Sequence, residues 1–103
     1  MYRVTWTSGA DQSLQNYYLD VKGSSVLSLS MLSQLQLFEL AAISESIRAI
    51  DRLLSVNPLV IGQEASVAGF RKLTIGPMTV GYRANAEKRM VQVCVLHYFR
   101  RRN

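Results

Sequence analysis

The sequence is poor in the residues that build metal clusters and disulfide frameworks. Its 103 residues include one cysteine, Cys94, and one histidine, His97. A lone cysteine cannot form an intrachain disulfide, and these two residues fall short of the four ligands of a structural zinc site. We therefore expect neither a metal nor a cofactor. Cys94 lies in an apolar run, so we expect a buried and unreactive thiol.

Glycine and proline are also scarce, with six and two copies, whereas 49% of the residues are apolar. This composition excludes a disordered chain, and the length predicts a single domain over residues 1–103. A long uninterrupted apolar run is missing too, because serine, glutamine and glutamate interrupt the stretch 26–43. The N-terminus lacks the basic head and apolar core of a secretory signal. We predict a cytoplasmic protein with no membrane contact.

Acidic residues are nearly absent from the last third of the chain. Between Gly69 and Asn103, eight cations accompany the single anion Glu87, a net charge of +7, whereas residues 1–68 carry −2. The eight cations are Arg71, Lys72, Arg83, Lys88, Arg89, Arg100, Arg101 and Arg102. Such asymmetry favours a polyanionic partner, most commonly nucleic acid. A small protein with a basic tail is the alternative.

Hydrophobic periodicity predicts a strand and then a helix at the start of the chain. Residues Tyr2–Thr7 alternate large and polar side chains, which is typical of a strand. Apolar residues then recur at helical spacing up to Lys22 and Gly23, and Ser8 is a candidate N-cap.

The next stretch, residues 25–56, is uneven. Its second half predicts an amphipathic helix that ends before Asn57 and Pro58. Five apolar residues step by three and four along it: Leu40, Ile43, Ile47, Ile50 and Leu54. The first half alternates like a strand, yet its apolar residues also share one helical face, so we favour a helix. A continuous helix would be ~45 Å long. Its apolar first half would then need covering by a second copy or a partner.

Three strand patterns fill the C-terminal third. They cover Phe70–Ile75, Met78–Arg83 and Met90–Leu96, separated by a Gly-Pro turn and a polar loop. Short connections predict an antiparallel meander, and the first strand can pair beside the last. We predict an α+β fold in the order β-α-α-β-β-β, with two helices packed on one face of a small antiparallel sheet.

This order resembles that of the RelE/ParE toxins of bacterial type II toxin–antitoxin modules. Three phrases carry the resemblance: YRVTWTSGADQSL, AIDRLLSVNPLVIG, and GFRKLTIGPMTVGYR running into MVQVCVLHYFRR. They cover residues 1–22 and 43–102, and the segment 24–42 is a longer, helix-rich insertion. The resemblance implies a RelE/ParE-like fold and a cognate antitoxin protein that wraps the toxin.

The resemblance implies one of two activities. RelE-like members cleave mRNA in the ribosomal A site without a metal, and ParE-like members poison DNA gyrase. RelE-like nucleases use basic residues on the second strand, an arginine on the third, a C-terminal arginine and a tyrosine beyond it. The matching catalytic candidates are Arg71, Lys72, Arg100 and Arg101. Thr79 stands where the third-strand arginine is expected, and no tyrosine follows Arg101.

The implied function is therefore a toxin-like protein whose basic sheet surface acts on translating mRNA or on DNA gyrase. A metal-independent, ribosome-dependent mRNA endonuclease is one possibility, although its catalytic set is incomplete. The candidate binding residues are Arg83, His97, Tyr98 and Arg102. The alternative is a catalytically degenerate, non-enzymatic interaction protein that forms a homodimer through the long helix.

Overall fold

The computed structural model describes residues 1–23 and 34–99. These residues form two helices and five strands. In chain order, they are β1 (Arg3–Trp6), α1 (Ser8–Lys22), α2 (Gln34–Val56), β2 (Gln63–Glu64), β3 (Arg71–Ile75), β4 (Met78–Asn85) and β5 (Met90–Tyr98). The strands make one sheet in the order β1-β5-β4-β3-β2. The predicted α+β class and the C-terminal meander are confirmed.

The helix boundaries follow the caps and breakers of the sequence. Thr7, not Ser8 as predicted, caps α1, because its Oγ1 accepts a hydrogen bond from the Ala10 amide at 3.2 Å. Helix α2 ends at Val56, just before the Asn-Pro pair. The predicted helix over residues 25–33 lies outside the described residues. Within the described ranges, no helix is both long and apolar enough to cross a bilayer.

The predicted apolar stripe of α2 faces the core. Ile43, Ile50 and Leu54 are fully buried, and Leu40 and Ile47 pack against the same cluster. Since these side chains recur every three or four residues, one side of α2 covers the sheet while the other faces solvent.

Polar contacts fasten the helices to the same sheet face. The Trp6 Nε1–H of β1 donates to Asp51 Oδ1 of α2 at 2.9 Å. The Tyr17 hydroxyl of α1 donates to the Leu96 carbonyl of β5 at 3.0 Å. Both helices therefore pack on one face, as the sequence predicts.

The sheet differs from the prediction at both of its edges. Strand β1 pairs with β5 as expected, but the pair is parallel, with Arg3 opposite Met90. The direction of a strand so remote in sequence is not fixed by any turn, so the local pattern leaves it open. At the other edge, β2 pairs with β3 within a segment predicted as a connector.

Strict alternation along β4 defines the core. Met78, Val80 and Tyr82 are fully buried under the helices. On β5, the register shifts opposite the Gly81–Tyr82 step, which leaves Cys94 without a β4 partner. The alternation of β5 therefore slips by one residue at this bulge. Cys94 is half-buried, so the expectation of a buried thiol is wrong.

Hydrogen bonds hold the loop between α2 and β2 against β4 in the middle of the sheet. The buried Tyr82 hydroxyl lies 2.6 Å from the Pro58 carbonyl oxygen and 3.1 Å from that of Ile61. Gly62 follows with φ = 74°, and a Cβ placed on it would lie 2.5 Å from the Lys72 carbonyl oxygen. Only glycine fits both the conformation and the close approach.

We therefore expect Gly62→Ala to destabilise the protein by roughly 2–4 kcal/mol, because positive-φ strain adds to a backbone clash. Gly69→Ala is the matched control, since Gly69 has φ = 84° but no atom within 4 Å of its Cβ position. It should cost only about 1 kcal/mol. Urea denaturation followed by circular dichroism measures both values. Equal losses would show that the close approach to β3 does not matter.

Candidate functional site

The face of the sheet opposite the helices, hereafter the open face, consists of the residues that alternate with the buried ones. The strand register shows which of these residues lie opposite one another on neighbouring strands. The main positions are Arg3, Thr5, Lys72, Thr74, Thr79, Gly81, Arg83, Gln92, Val95 and His97. The helices leave this face uncovered, so its side chains are available to a partner.

The open face is cationic. Arg3, Lys72 and Arg83 lie on it, and no strand position of this face in the described residues is acidic. The seven acidic residues lie elsewhere: Asp11, Asp20, Glu39, Glu45 and Asp51 on the helices, Glu64 on the helix side of β2, and Glu87 in the β4–β5 turn. Cations lie on both sides of the sheet, since Arg48 and Arg52 are on α2, but the strand positions of the open face in the described residues carry cations without anions. This imbalance favours an anionic ligand on the open face.

Arg83 is the most constrained cation of this face. Its Nη2 donates to Gln92 Oε1 on β5 at 2.8 Å. Its Cζ lies 5.3 Å from the ring centroid of Phe70, the residue before β3. A guanidinium that stacks on a ring and bonds an amide is held in place while its remaining N–H groups face solvent.

Gly81 lies between Lys72 and Val95 on the open face, since it pairs with Lys72 of β3 on one side and with Val95 of β5 on the other. Because glycine has no side chain, no side chain of β4 separates Lys72 from Val95. Farther along, the hydroxyls of Thr74 and Thr79 are 2.8 Å apart. Thr79 also pairs with the exposed His97, which places this binding candidate on the open face.

Arg71 lies on the opposite side of β3 from Lys72. It shares the helix-covered side with Leu73, and its Nη2 donates to the carbonyls of Ile61 and Gly62 at 3.0 and 3.4 Å. Its Nε is buried without a hydrogen-bond partner. The two second-strand candidates are therefore not brought together. Arg71 holds the loop before β2, and Lys72 alone reaches the open face.

Tyr98 is likewise turned to the helix side. Its hydroxyl donates to Glu39 Oε2 at 3.1 Å, and its ring centroid lies 5.6 Å from that of Tyr17. This arrangement joins the end of β5 to both helices. The structure places Tyr98 away from Lys72 and Arg83.

The remaining candidates follow the last described residue. Arg100, Arg101 and Arg102 lie outside the described residues. The chain reaches them from Phe99, whose amide donates to the Pro77 carbonyl at 2.7 Å. Their catalytic and binding roles stay predictions.

Two residues of the open face, Phe70 and Gln92, did not appear among the sequence candidates. The signal for Gln92 is present, because it alternates with Val91 and Val93 and faces Arg83 across the strand pair. Phe70 gives no such signal, because it precedes β3 and its contact with Arg83 depends on the pairing of β3 with β4. No cluster of three potential metal ligands occurs in residues 1–23 and 34–99.

The two neighbouring cations of β3 should respond differently to mutation. We expect Arg71→Ala to lower the free energy of unfolding by about 1–3 kcal/mol, because the Gly62 carbonyl loses its Arg71 donor and the Ile61 carbonyl keeps only the Tyr82 hydroxyl. Lys72→Ala, at an exposed position, should stay within about 0.5 kcal/mol of wild type. Urea denaturation compares the two. A larger loss for Lys72→Ala would contradict the assignment of the two sides.

Comparison with known proteins gives a structural match and no sequence match. No protein-family model and no curated protein matches the sequence significantly. Solved structures, in contrast, match over nearly the whole chain at low sequence identity. The chromosomal ParDE toxin–antitoxin system from P. aeruginosa has 20% identity and a TM-score of 0.70, over 97% of this chain and 98% of the other.

A second similar structure is the RelBE2 toxin–antitoxin complex from Mycobacterium tuberculosis, with 18% identity and a TM-score of 0.65, over 94% of this chain and 90% of the other. The third is the isolated E. coli RelE toxin, with 10% identity and a TM-score of 0.57, over 99% of this chain and 88% of the other. At this identity the likeness concerns architecture. The chain has the fold of the RelE/ParE toxins.

Proposed function

We propose that the chain is the toxin component of a bacterial toxin–antitoxin module and acts in the cytoplasm. The observation that carries the proposal is the match to the ParDE system over 97% of this chain and 98% of the other. The match covers nearly all of both chains, so the likeness concerns the whole described fold and not a shared fragment. The likeness to the RelBE2 complex and to the isolated RelE toxin supports the same assignment.

The proposed partner is an antitoxin protein that neutralises the toxin. Two of the similar structures are toxin–antitoxin assemblies, which supports this partner. The resemblance of the sequence to the RelE/ParE toxins supports it independently.

The proposed surface for the cellular target is the open face. Metal-free RNA cleavage requires a base for the 2′-hydroxyl, cations for the phosphorane and an acid for the leaving oxygen. Among the described residues, the open face offers His97, Lys72 and Arg83, with Thr79 at the expected arginine position. Arg71 is engaged with the loop before β2. This arrangement favours a toxin that binds its target over one that cleaves RNA.

Growth of bacteria that express the chain tests the proposal. Induction should arrest growth, and co-expression of the antitoxin gene from the same operon should restore it. The double variant Lys72→Gln/Arg83→Gln should lose at least tenfold in toxicity, measured as surviving colonies, while its urea midpoint stays near wild type. Arg48→Gln/Arg52→Gln on α2 removes the same charge from the helix side and should stay toxic. Normal growth with abundant folded wild-type protein would refute the proposal.

Two assays then separate the targets. Primer extension on ribosome-bound mRNA should show no cuts in the A site if the toxin binds without cleaving. Accumulation of gyrase–DNA cleavage complexes would identify gyrase as the target. A-site cuts that disappear in the Lys72→Gln/Arg83→Gln variant would instead establish a nuclease.

A second candidate, a non-enzymatic homodimer, is favoured by one observation. Leu35 and Phe38, in the first turns of α2, are 62% and 73% exposed. Light scattering tests it: a dimer that becomes a monomer in the Leu35→Asp/Phe38→Asp variant would support this candidate. A wild-type monomer at high concentration would exclude it.

A further inference from the structure

A groove lies between α2 and the turn that joins β3 to β4, on the helix side of the sheet. Its volume is about 750 Å³, which is in the size range of small-molecule sites in proteins. Ala42 and Ala49 of α2 line one wall, and Ile75, Gly76 and Pro77 line the other. Because alanine and glycine bring no long side chains, the space between the helix and the turn stays open.

Ser46 lines the same groove and brings a hydroxyl that is not used by the fold. The residue is 5% exposed, and its Oγ lies 3.0 Å from the position of a Cβ built on Gly76. Within residues 1–23 and 34–99, this hydroxyl forms no hydrogen bond. Burying a hydroxyl without a partner costs free energy, and such groups are rare in folded proteins. A ligand in the groove would supply the missing partner.

Two arginines line the groove from the α2 side. Arg48 and Arg52 are exposed, and their guanidinium groups form no ion pair or hydrogen bond with the part of the chain that the structure describes. Like charges four residues apart repel each other along a helix. Asp51 lies between them in sequence, but its Oδ1 accepts from Trp6 Nε1. An anion bound by both arginines would remove the repulsion, and phosphate oxygens match the guanidinium fork.

Glu45 gives the groove a second kind of polar group. It lies one helical turn before Arg48, lines the same space and is unpaired among the described residues. The α2 side of the groove therefore carries a carboxylate followed by two guanidinium groups, and Ile75 and Pro77 give the opposite wall an apolar surface. This arrangement fits a molecule with an anionic group at one end and a hydrogen-bond donor at the other, joined by a body that packs on the apolar wall.

We propose that this groove binds a small phosphomonoester with a nucleoside-sized body. Arg48 and Arg52 hold the phosphate, and the Ser46 hydroxyl bonds the ligand inside the groove. Glu45 accepts a hydrogen bond from an amino group of the base. A phosphomonoester carries nearly two negative charges at neutral pH, which match the two arginines. The site lies on the helix side, apart from the open face, so it does not depend on the proposed toxin function.

Methyl NMR of the full chain during titration with adenosine 5′-monophosphate (AMP) tests the proposal. The Ile75 methyl signals should shift saturably, while those of Val95 on the open face stay in place. Adenosine and inorganic phosphate should each bind at least tenfold more weakly, because each makes only part of the contacts. Equal affinity for AMP and inorganic phosphate, or Ile75 signals that do not shift, would overturn the proposal.

The two arginines are tested with a matched charge control. Arg48→Gln/Arg52→Gln should weaken AMP binding at least tenfold. Lys88→Gln/Arg89→Gln removes the same charge from exposed positions in the β4–β5 turn and should change the affinity less than twofold. Equal losses in the two variants would mean that AMP is attracted by net charge alone, which would overturn the assignment of the groove.

Two further variants test the groove rather than its charge. Ser46→Ala should weaken AMP binding severalfold without lowering the urea midpoint, because the hydroxyl has no hydrogen bond to lose. Ala49→Leu leaves both arginines in place and fills the space between the walls, so it should weaken binding at least tenfold. Its urea midpoint reports whether it folds. A folded Ala49→Leu variant that binds AMP like wild type would contradict the proposal.

A competition experiment separates a small phosphomonoester from an acidic protein segment. A hexaglutamate peptide should displace AMP from the wild-type chain at least tenfold less effectively than guanosine 5′-monophosphate does. If the peptide displaces AMP more effectively than this second nucleotide, the groove takes an acidic peptide and the proposal is overturned.

Discussion

Two helices bury Met78, Val80 and Tyr82 of β4, and this burial decides which residues of the sheet face solvent on its other side. These three side chains alternate along β4, so the residues between them must face the other way. A slip of one residue would exchange the two sides completely. The same alternation places Lys72 and Arg83 on an uncovered sheet surface, while the acidic side chains of the helices stay on the opposite side.

Periodicity predicted most of the fold because most of it is local. The steps of three and four from Leu40 to Leu54 and the alternation of β4 each report burial on one side, and both were confirmed. The parallel direction of β1 and the short β2 were missed. Both depend on pairing with distant residues, and a two-residue strand is too short to show a period. The bulge at Cys94 likewise arises from cross-strand register.

The sequence predicted the positive charge of the candidate site, but not the side of the sheet on which each of its residues lies. The sequence showed a basic C-terminal third, and it named Lys72, Arg83 and His97, which do share the open face. The resemblance grouped Arg71 with Lys72 because both match the basic position of the second strand. Strict alternation with the buried Leu73 puts Arg71 on the helix side and Phe70 on the open face, where it supports Arg83. A resemblance at the level of a motif does not say which of two neighbouring residues faces the helices.

The proposal that the open face binds the cellular target is tested most directly by methyl NMR during titration with oligouridine, a polyanionic probe. Val95 and Val93 lie two residues apart on β5, yet Val95 is 46% exposed beside Gly81 and Val93 is fully buried under the helices. We predict saturable shifts of the Val95 methyl signals with little change at Val93. Shifts of the exposed Val56 methyls on α2, with Val95 unchanged, would contradict it.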